Sequence, residues 1–421
     1  MALVSFTTSG ALGKSALRQA NERLLLDSIR RRPGISRAEI ARLTGFSRTS
    51  VTFVVNRLIG KGLVQEQKSE GPIQTGRPPS ELRLIGDAMM AVGVEISRPH
   101  SRVVLMDLNG EQLQSKTVAW NVDPEALLDE IKEAIRAMAG GRRSRRILGV
   151  GVAIPGTIDK STGRVIAAES IGWFGVDAGK RLNAGLPWRF WYENDSNLAA
   201  LAEQWFGDSE AKAFRYFACI RPQGGLGTGI VVDGRVLHGI SSAAAEFGHI
   251  MLYPDGRPCN CGNRGCWEQY ASDGALVRAY RERNGRTGAG SSFDEALQIV
   301  EAASKDDPVA LEALRDTARY LALGCVSLVA ALNPQAIIVG EPFARGWHLI
   351  EDLIRSELRN RVPAYQLSGL RLIPSKLGAD AAVLGAAALV LRSFFTSFDH
   401  AGETATPARK SGGGVLMETH R

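Results

Sequence analysis

Residues 216–237 read YFACIRPQGGLGTGIVVDGRVL, and residues 90–113 read MAVGVEISRPHSRVVLMDLNGEQL. Each opens on a short apolar run, turns, runs on through a second apolar stretch and turns again at Asp-Gly or Asn-Gly. Those dipeptides are strong short-range hairpin signals. Both stretches therefore predict a three-strand meander. A meander that occurs twice in one chain marks an internal repeat, and hence two related lobes. Helical patterns at PEALLDEIKEAIRAMAG, DSNLAALAEQWFG and around residues 317–333 alternate with the apolar runs ILGVGVAI and AIIVG. That alternation predicts an α/β body with a cleft between the lobes. The stretch GGLGTGI at 224–230 poses a chemical question. Glycine-rich backbone can wrap a phosphate with its N–H groups, but ligand-free glycine turns share the pattern, and the motif alone does not decide.

The chain has 421 residues, enough for two or three domains, with 44% apolar and 23% charged residues, as in ordinary globular proteins. The first residues, MALVSFTTSGALGKSALRQ, lack the apolar core of a secretory signal, and no uninterrupted apolar run approaches the roughly 18 residues of a membrane helix. A cytoplasmic protein with no membrane partner is expected. Five cysteines, three of them within residues 259–266, do not make a disulfide framework; clustered thiols in a cytosolic chain point to metal.

Charge is unevenly placed. Residues 1–83 carry 14 Lys+Arg against 6 Asp+Glu, whereas the remaining 338 carry 37 against 38. No acidic residue lies between Glu39 and Glu66, while Arg42, Arg48, Arg57 and Lys61 fall in that gap. A basic head that meets a polyanion fits this asymmetry. Its pattern is specific. A first helix runs to about Arg31 and stops at Pro33-Gly34. A second begins with Ser36 and Glu39, the spacing of a capping box, turns Ile40 and Leu43 inward, and ends at Thr44-Gly45. A third starts at Ser47 and places Val51, Val54, Val55, Leu58 and Ile59 on one buried face. Ser47, Arg48, Thr49, Ser50, Thr52 and Asn56 are left on its other side. Two helices joined by a glycine turn, the second basic at its start, predict a helix-turn-helix whose third helix enters a major groove. GLVQEQ and ELRLI read as the strands of a wing, and Arg77 lies between them. Ser47, Arg48, Thr49, Ser50, Thr52 and Asn56 are the candidate base and phosphate contacts, with Arg57 and Arg77 toward the DNA backbone.

In the body, AIPGTID, ENDSN, GLGTGIVVDGRVLHG, AEFGHI and CNCGNRGCWE occur in that order over roughly residues 88–392. With these motifs the body resembles the ROK family of repressors, uncharacterised reading frames and sugar kinases. That resemblance implies the two-lobed actin-like ATPase fold. With the winged helix-turn-helix in front, the chain resembles the family's transcriptional repressors. The boundaries expected are a disordered arm over 1–15, the head over 16–85, lobe 1 over 86–200, lobe 2 over 201–395 and a disordered tail over 396–421. The last helix is expected to pack back on lobe 1.

His249, Cys259, Cys261 and Cys266 offer three thiolates and an imidazole, the donor set of a tetrahedral structural zinc. The family resemblance further implies that Gly156, Asn194, Asp195, Glu246, His249 and Glu268 surround a sugar. Asp195 stands at the position of the kinases' general base. The plainer reading of Asn194 and Asp195 is as caps of the helix that follows. The family's first phosphate loop, D-x-G-G-T-K, is replaced here by Glu95, Ile96, Ser97, Arg98, Pro99 and His100. Both glycines and the threonine are gone, and proline lacks a backbone N–H. Glu341 also replaces a glycine in the adenosine-side motif AIIVGEP. No ATP and no catalytic residue are therefore expected. The expected partners are operator DNA, a sugar or sugar phosphate, and a second copy or copies in a homodimer or tetramer. The alternatives are an active sugar kinase with a DNA-binding head, and a regulator whose effector is a protein.

Overall fold

The computed structural model describes residues 14–68, 80–286 and 292–396. Arg77, most of the N-terminal arm and the tail lie outside the described residues.

The head is built from α1 (Lys14–Arg31), α2 (Arg37–Thr44) and α3 (Arg48–Gly60), followed by the hairpin β1 (Val64–Lys68) and β2 (Ser80–Leu84). Ser36 and Glu39 form the reciprocal capping box of α2, and Gly45 closes it in the left-handed conformation at φ 74°. Ile40 is fully buried, but Leu43 is 51% exposed, a correction to the sequence reading. The eight-residue α2 presses a narrow stripe on its neighbours, and Leu43 falls outside it. Val51, Val54, Val55 and Leu58 are buried as the periodicity predicts, with Ile59 at the margin.

Lobe 1 contains β3 (Met90–Glu95), β4 (His100–Asp107), β5 (Gln112–Ala119), α4 (Pro124–Ala139), β6 (Ile147–Ile154), β7 (Thr157–Asp159), β8 (Arg164–Ala168), β9 (Trp173–Phe174), α5 (Ala178–Asn183), β10 (Phe190–Asn194) and α6 (Asp195–Phe206). Lobe 2 contains β11 (Phe217–Arg221), β12 (Gly227–Val232), β13 (Arg235–Val236), α7 (Glu268–Ala271), α8 (Asp273–Arg283), α9 (Phe293–Ala303), α10 (Pro308–Leu332), β14 (Ala336–Val339), α11 (Trp347–Arg361), α12 (Ala364–Leu367) and β15 (Arg371–Pro374). The chain closes with α13 (Ala381–Thr396).

The two main sheets run β10-β6-β3-β4-β5 and β13-β12-β11-β14-β15. Each is an antiparallel meander whose first strand pairs in parallel with the fourth strand of its lobe. The strand order is the same in both lobes, as the repeated meander predicts.

Among the described residues, the segment Gly378–Thr396 is long and apolar enough to cross a membrane, although no unbroken apolar run of that length marks it. Here α13 is a core helix. It lies on β3 and β6 so closely that a Cβ on Gly151 would stand 1.9 Å from the Ala386 carbonyl oxygen. A Cβ on its own Gly385 would stand 1.9 Å from that of Leu198 in α6. At its far end Val390, Leu391 and Phe395 share one hydrophobic cluster with Leu25 and Ile29 of α1. The Arg30 guanidinium lies 3.9 Å from the Trp205 ring centroid, a contact worth about 0.5–2 kcal/mol. Head and lobe 1 thus share a core.

Candidate functional site

The N-terminus of α6 sits where the two lobes meet. Asn194 is its N-cap: Oδ1 accepts from the backbone N–H of Ser196 at 2.9 Å and of Asn197 at 3.1 Å, and Nδ2 donates to the Gly156 carbonyl at 3.1 Å. The capping reading therefore describes Asn194. Gly156, at φ 78°, has no room for a side chain, since a Cβ would stand 2.2 Å from the Ala167 carbonyl oxygen.

Asp195 is bound differently. Its Oδ1 accepts from Ser196 N–H at 2.7 Å, and its Oδ2 from Arg221 Nη1 at 2.7 Å. The other arm of Arg221 reaches Glu95 Oε1 at 2.6 Å. Arg102 Nη2 approaches Glu95 Oε2 at 3.0 Å and also pairs with Asp380. Glu95 is wholly buried, and Asp195 and Arg221 are nearly so. Burial works to lower the pKa of Arg221, but Asp195, Glu95 and Asp273 outweigh it and hold the guanidinium charged. Arg221 ends β11 in lobe 2 and Glu95 ends β3 in lobe 1, so the ion pair ties the lobes together across the cleft. Sequence reasoning missed Arg221. The available signal was its position: a lone charge at the end of an apolar strand, matched by Glu95 at the end of the repeated strand.

Three loops converge beside this network. In the glycine-rich turn, Gly224 N–H donates to Asp273 Oδ2 at 2.9 Å and Leu226 N–H to Glu268 Oε2 at 3.2 Å. Gly227 and Gly229 let β12 press on α6: a Cβ would stand 2.0 Å from Ser196 Oγ at the first and 2.3 Å from the Ser196 carbonyl oxygen at the second. Thr228 donates its hydroxyl to the Ala245 carbonyl, which ties in the loop carrying Glu246 and His249. Glu246 has its side chain open to solvent, yet nearby protein crowds its carboxyl. Desolvation raises its pKa, His249 opposes the rise, and the carboxylates of Asp195, Glu169 and Glu268 add to it. Gly156, Asn194, Asp195, Glu246, His249 and Glu268 thus lie near one another at the lobe junction. Glu193, next in sequence, is drawn down to about 2: burial resists, but bonds and charges from His238, Lys160 and Asn197 prevail.

The third loop carries the thiols. Cys261 and Cys266 Sγ are 3.7 Å apart, Cys259 Sγ and His249 Nδ1 are 3.7 Å apart, and all four ligand atoms lie within 4.8 Å of one another. A tetrahedron with metal–sulfur bonds of ~2.3 Å has edges of about 3.8 Å. The cluster therefore has the size and donors of a structural zinc site. Trp267 anchors the loop: it is fully buried against Gly324 of α10, and its indole N–H donates to the Tyr320 carbonyl at 2.8 Å.

On the head, Arg48, Thr49, Ser50, Thr52 and Asn56 lie exposed along α3. Ser47 caps the helix, its Oγ accepting from Ser50 N–H at 3.1 Å and lying 2.8 Å from Ser50 Oγ. Asn56 accepts from Arg37 at 3.0 Å, and Arg37 pairs with Glu66 of the wing at 2.7 Å. Arg57 turns inward to Glu22 at 2.9 Å, and Lys61 meets the same carboxylate.

Residues 91–393 match the ROK family and residues 19–72 the MarR family. The xylose repressor of Bacillus spizizenii is 28% identical over 385 residues, covering 90% of this chain and 96% of that protein. A crystal structure of a ROK family transcriptional regulator, a homologue of the Escherichia coli MLC protein, superposes with a TM-score of 0.71 at 25% identity over 90% of this chain and 97% of its own. A ROK glucokinase from Streptomyces griseus, in complex with glucose and AMPPNP, superposes with a TM-score of 0.63 at 32% identity over 71% of this chain and 98% of its own. The chain belongs to the ROK family, with a MarR-type winged-helix head on a sugar-kinase-like body.

Proposed function

We propose that this chain is a DNA-binding transcriptional regulator, a repressor of carbohydrate uptake or catabolism genes, controlled by a sugar or sugar phosphate in the interlobe cleft. One observation carries this reading: the head and the cleft share packed elements. Asp195 begins α6, α6 packs on α13, and α13 shares a core with α1 of the head. A ligand that prefers one lobe arrangement therefore biases the placement of α3. Arg48, Thr49, Ser50 and Thr52 would meet bases and phosphates, in a homodimer or tetramer on a pseudo-palindromic operator. Asp195, Glu246, His249 and Glu268 would meet sugar hydroxyls, with Gly156 and Asn194 shaping the floor. The chain would work in the cytoplasm.

Kinase activity is not expected. The glycine turn's N–H groups at Gly224 and Leu226 already serve carboxylates, and the Asp195 carboxylate is paired to Arg221. Zinc would bind His249 and the three thiolates and supply only rigidity, fixing the loop on which Glu268 is held. The exposed side chains of Met251 and Tyr253 beside that loop favour a second reading, in which a protein effector docks there.

The test is fluorescence anisotropy of the full chain on labelled DNA from its own upstream region, titrated with sugars and sugar phosphates at fixed salt. One compound should shift the affinity, and Glu246→Ala should abolish the shift. Steady ADP production from Mg-ATP and a sugar, above an Asp195→Asn control, would overturn the non-enzymatic part of the proposal.

A further inference from the structure

We infer that Phe53 is a specificity-determining residue that reads the 5-methyl group of a thymine in the major groove. The inference rests on the DNA-binding reading above and names what the middle of α3 recognises. Val51, Val54, Val55 and Leu58 of this helix are buried, whereas Phe53 is 60% exposed. Thr49, Thr52, Phe53 and Asn56 follow the i, i+3, i+4, i+7 spacing of one helix face, and all four are exposed. Phe53 stands in the middle of that face, away from the buried stripe. A lone exposed apolar side chain needs no partner. This one shares its face with the candidate base contacts, five residues beyond Arg48. At ~1.5 Å per residue that is about 7.5 Å along the helix axis. A major groove about 12 Å wide accommodates both side chains.

The neighbours of Phe53 hold its face in place. Asn56 Oδ1 accepts from Arg37 Nη2 at 3.0 Å, and Arg37 Nη1 lies 3.4 Å from the Thr52 carbonyl oxygen, so α2 braces the C-terminal half of the face. Ser47 and Ser50 close the N-terminal turn, their hydroxyls 2.8 Å apart. Between these polar groups the ring offers no conventional hydrogen bond and cannot read the donor and acceptor pattern of base edges. The apolar group that base pairs present in the major groove is the thymine 5-methyl. Charge argues for DNA over a second copy as the occupant. No acidic residue lies between Glu39 and Glu66, and Arg48 is exposed at the start of the helix. Two such faces brought together oppose like charges, whereas a polyanion complements them. Burying one carbon of this kind changes affinity roughly 4-fold.

In the experiment the full chain selects duplexes from a random-sequence library. The selected duplex is then prepared with uracil, which lacks only the 5-methyl group, in place of thymine at one position at a time. Anisotropy at fixed salt compares the native chain with Phe53→Ala and Phe53→Leu. At one thymine per half-site, uracil should weaken the native chain roughly 4-fold. That loss should vanish in Phe53→Ala and persist in part in Phe53→Leu, which keeps an apolar side chain. Full tolerance of uracil by the native chain overturns the inference. So does an undiminished loss at every sensitive position in Phe53→Ala, which assigns the methyl to another residue. Dissociation of a native oligomer by Phe53→Ala in analytical ultracentrifugation overturns it too, because the ring then lies between copies. These three results leave the DNA-binding regulator standing. If the native chain enriches no sequence, the inference and the DNA-binding reading fall together.

Discussion

Arg221→Met tests whether the charge network at the lobe junction is a true buried clamp. In the structure Arg221 is 8% exposed, Asp195 6% and Glu95 0%. Removing the arginine leaves two carboxylates without their shared cation. Breaking a buried pair in this way costs about 3–5 kcal/mol, because Asp195 is left without a counter-charge, whereas Glu95 keeps Arg102 at 3.0 Å. At roughly 2 °C per kcal/mol for a chain of this size, the apparent melting midpoint should fall by about 6–10 °C. The diagnostic step is Asp195→Asn in the Arg221→Met background. It removes the stranded charge, while Glu95 keeps Arg102. The double variant should regain about 1–2 kcal/mol relative to Arg221→Met alone, whereas Asp195→Asn in the native background should destabilise. Differential scanning calorimetry and urea midpoints read both. A loss below about 1 kcal/mol in Arg221→Met, or a further loss in the double variant, refutes the clamp.

Glu203 on α6 supplies a pH test. Burial raises its carboxyl to about 7, against a bond from Ser375, and Asp208 adds to the rise. The folded state therefore holds this proton more tightly than the unfolded one. Its contribution to stability is full below about pH 4.5, falls as pH rises towards 7 and is level above, by at most about 3 kcal/mol. Glu203→Gln should flatten that slope in urea midpoints between pH 5 and 8, and an unchanged slope counts against the buried carboxyl. Chelation or Cys261→Ser should release zinc measurable with a colorimetric dye and lower the melting midpoint; a fully folded native chain that purifies without zinc from zinc-supplemented medium would refute the metal assignment. On the head, Arg48→Ala should reduce the salt slope of DNA binding by about 1, whereas Arg57→Ala should cost stability through Glu22 before it costs DNA affinity.

Local chemistry made much of this protein legible in one dimension. Asp-Gly and Asn-Gly turns, together with apolar runs, specify hairpins through backbone geometry alone, so the twofold meander and the matching strand orders follow from residues 90–113 and 216–237. The Ser36–Glu39 cap and Gly45 turn are equally local, and they mark the head. The close spacing of Cys259, Cys261 and Cys266 foretold their convergence because a short loop cannot spread them far. Arg221 and Glu95 are different. They stand 126 positions apart; their matching places at the ends of apolar strands hint at burial, but nothing near either names its partner. Only the packing of the two lobes at the start of α6 brings Glu95 and Asp195 to one guanidinium, that of Arg221. In the same way, the glycine-rich turn carries no sign that Asp273 and Glu268 take its N–H groups. Nor does the apolar α13 announce that it lies between the sheet of lobe 1 and the head. Hydrogen bonds and turns of short range are written in neighbouring residues; long-range charge pairing and shared cores exist only once the chain has closed on itself.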